Sequence, residues 1–142
     1  MVWWRFCCRY AMFALFSLLV LDARLRKWRY GLALFLFAAI LVIGSIRGAR
    51  ADIGHYATGI VLHSLAYGGI TMLLFTGSLG SARQRAIHSV LTVMLMGAID
   101  ETVQSFLSYR SGTVSDWLVD CSAAIVSAAL LWALLPATPA SR

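Results

Sequence analysis

Four long apolar runs dominate the chain, separated by short clusters of charged and small polar residues. They extend from Tyr30 to Ile46, from about Tyr56 to Thr76, from about Ala86 to Leu107 and from about Asp116 to Leu135. Crossing a hydrocarbon core about 30 Å thick takes roughly 20 apolar residues in a helix. Each run comes close to that length, and Pro136 is a natural stop for the fourth. The pattern predicts an all-α transmembrane helical bundle of about four spans.

A fifth apolar stretch, Tyr10 to Leu21, is shorter than a span. Arg5 and Arg9 precede it, and Asp22, Arg24, Arg26, Lys27 and Arg29 follow. A positive start and a short apolar run resemble a signal peptide, but Asp22-Ala23-Arg24 is a poor cleavage site. Three readings stay open: an interfacial helix, a short tilted span, or an over-long start with the true initiator at Met12. The chain thus divides into an N-terminal apolar segment (1–23), the bundle (24–136) and a short cytoplasmic tail (137–142).

Composition strengthens the membrane reading. Of the 142 residues, 61% are hydrophobic and only 13% charged, where a soluble domain carries about 25% charge. The net charge of +6 does not indicate nucleic-acid binding, because the basic residues sit in short clusters between apolar runs. Lys and Arg gather in that way on the cytoplasmic side of membrane spans. The cysteines, Cys7, Cys8 and Cys121, form no metal-binding spacing with one another or with His. No metal and no cofactor are expected, and Cys121 is read as small apolar filler.

Charge also orients the bundle. With four alternating spans, Arg24, Arg26, Lys27, Arg29, Arg83, Arg85 and Arg142 share one side, and Arg47, Arg50 and Arg110 the other. The richer side is expected to be cytoplasmic, with both termini of the four-helix core. His88 and Asp22 fall there as surface groups. Small residues crowd the fourth span (Ser122, Ala123, Ala124, Ser127, Ala128, Ala129), and Gly68, Gly69 and Gly97 lie in the second and third. Such residues let helices approach closely in lipid.

Ionisable groups at membrane depth are costly, so their placement is informative. Glu101 and Gln104 are three apart in the outer third of the third span and share a helix face. Asp116 and Asp120, four apart, open the fourth span; His63 and Tyr67, four apart, lie in the outer half of the second. Arg110 occupies the loop between Glu101 and Asp116, with Ser111-Gly112 as its hinge. These residues are expected to form one polar site at the outer face. Blander readings exist for single residues: His63 as a packing group, Asp116 as an N-cap after Ser115, Arg110 as a headgroup-level charge. A carboxylate at the depth of Glu101 is harder to dismiss, since it needs a partner or must stay protonated. Arg50, Asp52 and His55 are read as a solvated outer loop near the site.

The stretch GAIDETVQSFLSYRSGTVSDWLVDCSAA resembles the signature of the VanZ-like integral membrane proteins. That signature runs Glu-x-x-Gln, a short gap, Arg-Ser/Thr-Gly, then Asp-x-x-x-Asn. Glu101, Gln104, Arg110 and Asp116 stand at the matching positions, and His63 and Tyr67 match the family's His-x-x-x-Tyr. Asp120 stands where the family has Asn, and Gly59-Ile60 where it has Asp-Lys. The resemblance implies a multi-span membrane protein of the bacterial cell envelope. The family takes its name from a protein linked to low-level resistance to the glycopeptide teicoplanin, and family membership does not fix function.

The expected function is that of a multi-pass protein of the bacterial cytoplasmic (inner) membrane. Its outer site would bind a lipid headgroup or a lipid-linked cell-wall or polysaccharide intermediate through Glu101, Gln104, Arg110, Asp116, Asp120, His63 and Tyr67. Arg110 suits a phosphate because a guanidinium meets its oxygens in bidentate fashion. Two alternatives remain: a membrane enzyme modifying such a lipid, with Glu101 or His63 as catalytic acid–base candidates, and a small transporter. Membrane lipids are the expected partners, nucleic acid is not, and a homo-oligomer is allowed.

Overall fold

The structure, a computed structural model, describes residues 22–49 and 58–135. The expectations for 1–21, for Arg50, Asp52 and His55, and for the residues from Pro136 onward lie outside the described residues. Among the described residues the fold has four long α-helices: α1 (Arg26–Gly44), α2 (Gly59–Gly77), α3 (Ala82–Ser105) and α4 (Val114–Leu134). A single 3-10 turn, Ala23–Leu25, leads into α1, and there is no strand among the described residues. All four helices are long and apolar enough to cross a membrane. Even α2, with 19 residues, is about 28 Å long at a rise of about 1.5 Å per residue.

Two helices begin earlier than the hydropathy pattern predicts. α1 starts at Arg26 rather than near Tyr30, taking in residues read as a basic loop. A helix can run past the hydrocarbon edge, and charged side chains at its end then reach polar partners. Arg29 does so: its Nε and Nη2 donate to the Thr76 carbonyl oxygen at 3.3 and 2.9 Å. That oxygen lies in the last turn of α2, where carbonyls lack intrahelical donors and the helix dipole favours a cation. α3 starts at Ala82 because Ser81 and Gln84 form a capping box, Ser81 Oγ accepting from the Gln84 amide and Gln84 Oε1 from the Ser81 amide. α4 is capped by Thr113, whose Oγ1 accepts from the Asp116 amide at 3.2 Å. The N-cap role considered for Asp116 therefore belongs to Thr113, and Asp116 sits inside the first turn.

Helix α2 is the hub, packing on α1, α3 and α4; α3 and α4 also pack together, while α1 leans chiefly on α2. Small residues set the closest approaches. A Cβ on Gly77 would stand 2.9 Å from the backbone nitrogen of Tyr30, so α1 and α2 cross almost backbone to backbone there. A Cβ on Gly68 would stand 3.1 Å from Ser127 Oγ of α4. Gly69, expected to share that role, has open space around it. Along α4, Ala124 and Ala128 are buried one turn apart.

The interior is divided. An apolar cluster of Ala33, Tyr67, Ile70, Leu74, Val93, Met96 and Ala124 fills the middle. Asp100, Glu101, Gln104 and Asp120 are buried at one end, the end formed by the start of α2, the end of α3 and the start of α4. Large apolar side chains point outward, among them Trp28, Leu65, Leu91, Leu95, Leu130 and Leu134. An apolar exterior around a partly polar interior suits a lipid solvent, where apolar burial does not drive helices together.

Candidate functional site

The first turns of α2 and α4 and the last turns of α3 bring the polar residues together. On α3, Met96, Asp100 and Gln104 are buried at intervals of four, with Gly97 and Glu101 beside them. That face looks toward α2 and α4. The α3–α4 connection, Phe106 to Thr113, folds tightly over the end of α3. A Cβ on Gly112 would collide with the Glu101 carbonyl oxygen, so only glycine allows this approach. Tyr109 Oη donates to the Ser45 carbonyl oxygen and ties the same connection to the end of α1. The Arg47 guanidinium lies over the Tyr109 ring, 5.1 Å from its centre.

Each polar group has a defined contact. His63 Nδ1 lies 2.8 Å from Asp120 Oδ1, joining α2 to α4. Tyr67 Oη donates to Asp100 Oδ2 at 2.9 Å, joining α2 to α3. The His63 and Tyr67 rings stack with centres 6.0 Å apart. Thr113 N–H donates to Glu101 Oε2 at 2.6 Å, so Glu101 receives one of the free amides at the start of α4. Arg110 Nη2 donates to Gln104 Oε1 at 2.5 Å. Asp120 is fully buried, and Gly97 makes room for it: a Cβ there would stand 2.9 Å from Asp120 Oδ2.

Arg110 pairs with neither Glu101 nor Asp116, its neighbours in the expected site. Its partner is instead the neutral Gln104, and it forms no ion pair with a carboxylate among the described residues. Its Nε is buried without a hydrogen-bond partner among them. Asp100 was absent from the expected site yet is central to it. The adjacent Glu101 drew attention through its spacing to Gln104, but Asp100 and Gln104 are four apart and lie on the same buried face. That spacing was the signal that could have found it.

Two hollows open at this end. One, about 270 Å³, lies between α1, α2 and α3. Ile40, Ile43, Leu62 and Ala66 give it an apolar wall; His63, Tyr67, Asp100, Gln104 and Arg110 supply polar groups. The other is shallower and lies against Arg47, Tyr109, Arg110 and Ser111. Arg110 lines both. Glu101, Asp116 and Asp120 line neither hollow; they stand on the α4 side of His63. There one ligand-type atom from each of His63, Glu101 and Asp116 lies within 4.8 Å of the other two. All three were expected at one polar site, but without a metal, since ligands on three different helices make no local spacing motif.

Polarity does not continue through the bundle. Toward the other end, Thr71 donates to the Tyr67 carbonyl, Thr76 to Met72 and Ser89 to Ala86, all within their own helices. Hydroxyls engaged in this way leave little to line a path. Compared with protein-family models, with curated proteins and with solved structures, the chain matches none.

Proposed function

We propose that this multi-span protein is VanZ-like and sits in the bacterial cytoplasmic membrane. Its outward-facing site binds the anionic headgroup of a membrane lipid or of a lipid-linked envelope precursor. The observation that carries this reading is the setting of Arg110. Its guanidinium borders both hollows, holds a neutral partner and, among the described residues, keeps a buried Nε without one. A cation not matched by a carboxylate is suited to a phosphate, and a planar guanidinium to its paired oxygens. The apolar wall of α1 and α2 beside it is suited to the first methylenes of an acyl or prenyl chain. The basic side of the bundle, Arg24, Arg26, Lys27, Arg29, Arg83 and Arg85, is opposite this site, and the positive-inside rule then supports an outward-facing site.

A second reading has its own observation. The His63–Asp120 pair is the arrangement in which a carboxylate orients an imidazole for proton transfer, and His63 borders the hollow between α1, α2 and α3. A membrane enzyme acting on the bound lipid by acid–base chemistry would use that pair, with Arg110 facing developing charge. Transport finds less support, because the buried hydroxyls of the opposite half bond within their own helices.

The test is mass spectrometry of envelope lipids and lipid-linked sugars, from whole cells and from purified protein. Cells lacking the protein are compared with cells carrying wild type, Arg110→Ala or Glu101→Gln at matched membrane levels. Headgroup binding predicts that an anionic lipid copurifies with wild type and is depleted at least tenfold with Arg110→Ala. Equal lipid in both preparations defeats the binding reading. A covalent lipid change made by wild type and lost in Glu101→Gln selects the enzyme.

A further inference from the structure

We infer that His63, Glu101 and Asp116 form a binding site for a divalent first-row cation, with Asp120 holding the His63 ring from behind. This goes beyond headgroup binding and does not depend on it, since Arg110 is not a ligand and, of the three ligands, only His63 borders a hollow.

The three residues carry the donor types such an ion takes, one imidazole nitrogen and two carboxylate oxygens. They come from α2, α3 and α4, and one donor atom of each lies within 4.8 Å of the others. Bonds of about 2.1 Å in a tetrahedral arrangement set ligand atoms about 3.4 Å apart. The side chains therefore need to close by at most about 1.4 Å, a change within reach of small side-chain rotations.

A second observation points to a cation at this place. Glu101 is only 8% exposed. Its Oε2 is taken by the Thr113 amide, while its Oε1 is buried without a hydrogen-bond partner among the described residues. A buried carboxylate oxygen without a donor is costly, and a metal ion is one of the few partners that offsets the cost.

The surroundings of His63 give a third. Metal-bound histidines usually give their other ring nitrogen to a carboxylate, which fixes the ring and strengthens the ligand. Asp120 Oδ1 stands 2.8 Å from His63 Nδ1, leaving Nε2 as the nitrogen for the ion. Asp120 is fully buried and receives its space from Gly97, so the orienting carboxylate is built into the α3–α4 contact. Three protein ligands leave a coordination position for water or for an oxygen of a bound molecule.

The experiment uses the full chain, purified in detergent micelles, stripped with a chelator and then equilibrated with Zn²⁺ or Mn²⁺ alone. Bound metal is counted by mass spectrometry after gel filtration, and thermal unfolding is followed with and without the ion. Wild type is expected to retain about one ion per chain and to melt higher with it, because a ligand that binds only the folded state stabilises it. His63→Ala, Glu101→Gln and Asp116→Asn are expected to lose retention and the melting shift. Asp120→Asn is expected to weaken binding about 10–100-fold, as loss of an orienting carboxylate does elsewhere. His88→Ala, at the other end of the bundle, is expected to bind as wild type does. Wild type that takes up neither ion overturns the proposal whatever the variants do, and the cluster is then a hydrogen-bonded joint between helices. Full retention by folded His63→Ala or Glu101→Gln also overturns it.

Discussion

At the scale of single residues, the decisive fact is that polar groups buried in lipid must find partners inside the protein. Tyr67 and Asp100 show how this works. The Tyr67 hydroxyl donates to a carboxyl that is itself almost fully buried, so removing the hydroxyl leaves Asp100 short of a donor. Tyr67→Phe is expected to destabilise the purified protein by about 1–3 kcal/mol, the cost of a buried polar group left unsatisfied. Adding Asp100→Leu to it should recover much of the loss, because removing both partners is far cheaper than removing one. Thermal melts of the two single variants and the double variant measure this directly, and additive losses would show that the two groups are not coupled. Glu101 and Gln104 were legible in the sequence as polar residues on one face. Asp100 was passed over although it stands one turn before Gln104, because the spacing of Glu101 to Gln104 does not show that both adjacent acids turn inward.

At the scale of helices and their connections, glycines decide how closely the elements approach. Gly69 and Gly97 both lie inside helices, yet their surroundings differ. An alanine at 69 meets nothing, so Gly69→Ala should be neutral or stabilising by up to about 1 kcal/mol through helix propensity. An alanine at 97 would press on Asp120 and on Trp117, whose ring Nε1 donates to the Met94 carbonyl at 3.0 Å. Gly97→Ala should therefore cost about 1–3 kcal/mol, as overpacking of a tight contact does. It should also disturb the His63–Asp120 pair. Melting temperatures of the two variants in the same detergent check the contrast, and equal effects would refute the close α3–α4 approach. The sequence marked both positions as small; only the packing of α3 on α4 distinguishes them.

For the whole molecule, the four described helices gather the buried acids Asp100, Glu101 and Asp120 at one end. The proposed orientation places the α3–α4 connection outside and the α2–α3 connection inside. In a background with Cys7, Cys8 and Cys121 replaced by alanine, Ser111→Cys is expected to react with a membrane-impermeant thiol reagent applied to intact cells. Arg83→Cys should react only after the membrane is opened. The reverse pattern would put the site on the cytoplasmic side and remove lipid-linked precursors of the outer leaflet as its ligand.

The sequence alone determined the class of molecule and the approximate place of the four long apolar helices among the described residues. Both depend on the length and polarity of local runs measured against a fixed membrane thickness. It also showed which end of each span is polar. Alternation of the spans then brings His63, Glu101, Arg110, Asp116 and Asp120 to one end of the bundle. The tertiary structure decided the pairings there: His63 with Asp120, Tyr67 with Asp100, Glu101 with the start of α4, and Arg110 with Gln104. Those choices depend on how each helix is rotated about its own axis. Rotation is set by contacts between distant residues, such as Gly77 against Tyr30 and Gly97 against Asp120, and no local pattern along the chain encodes them.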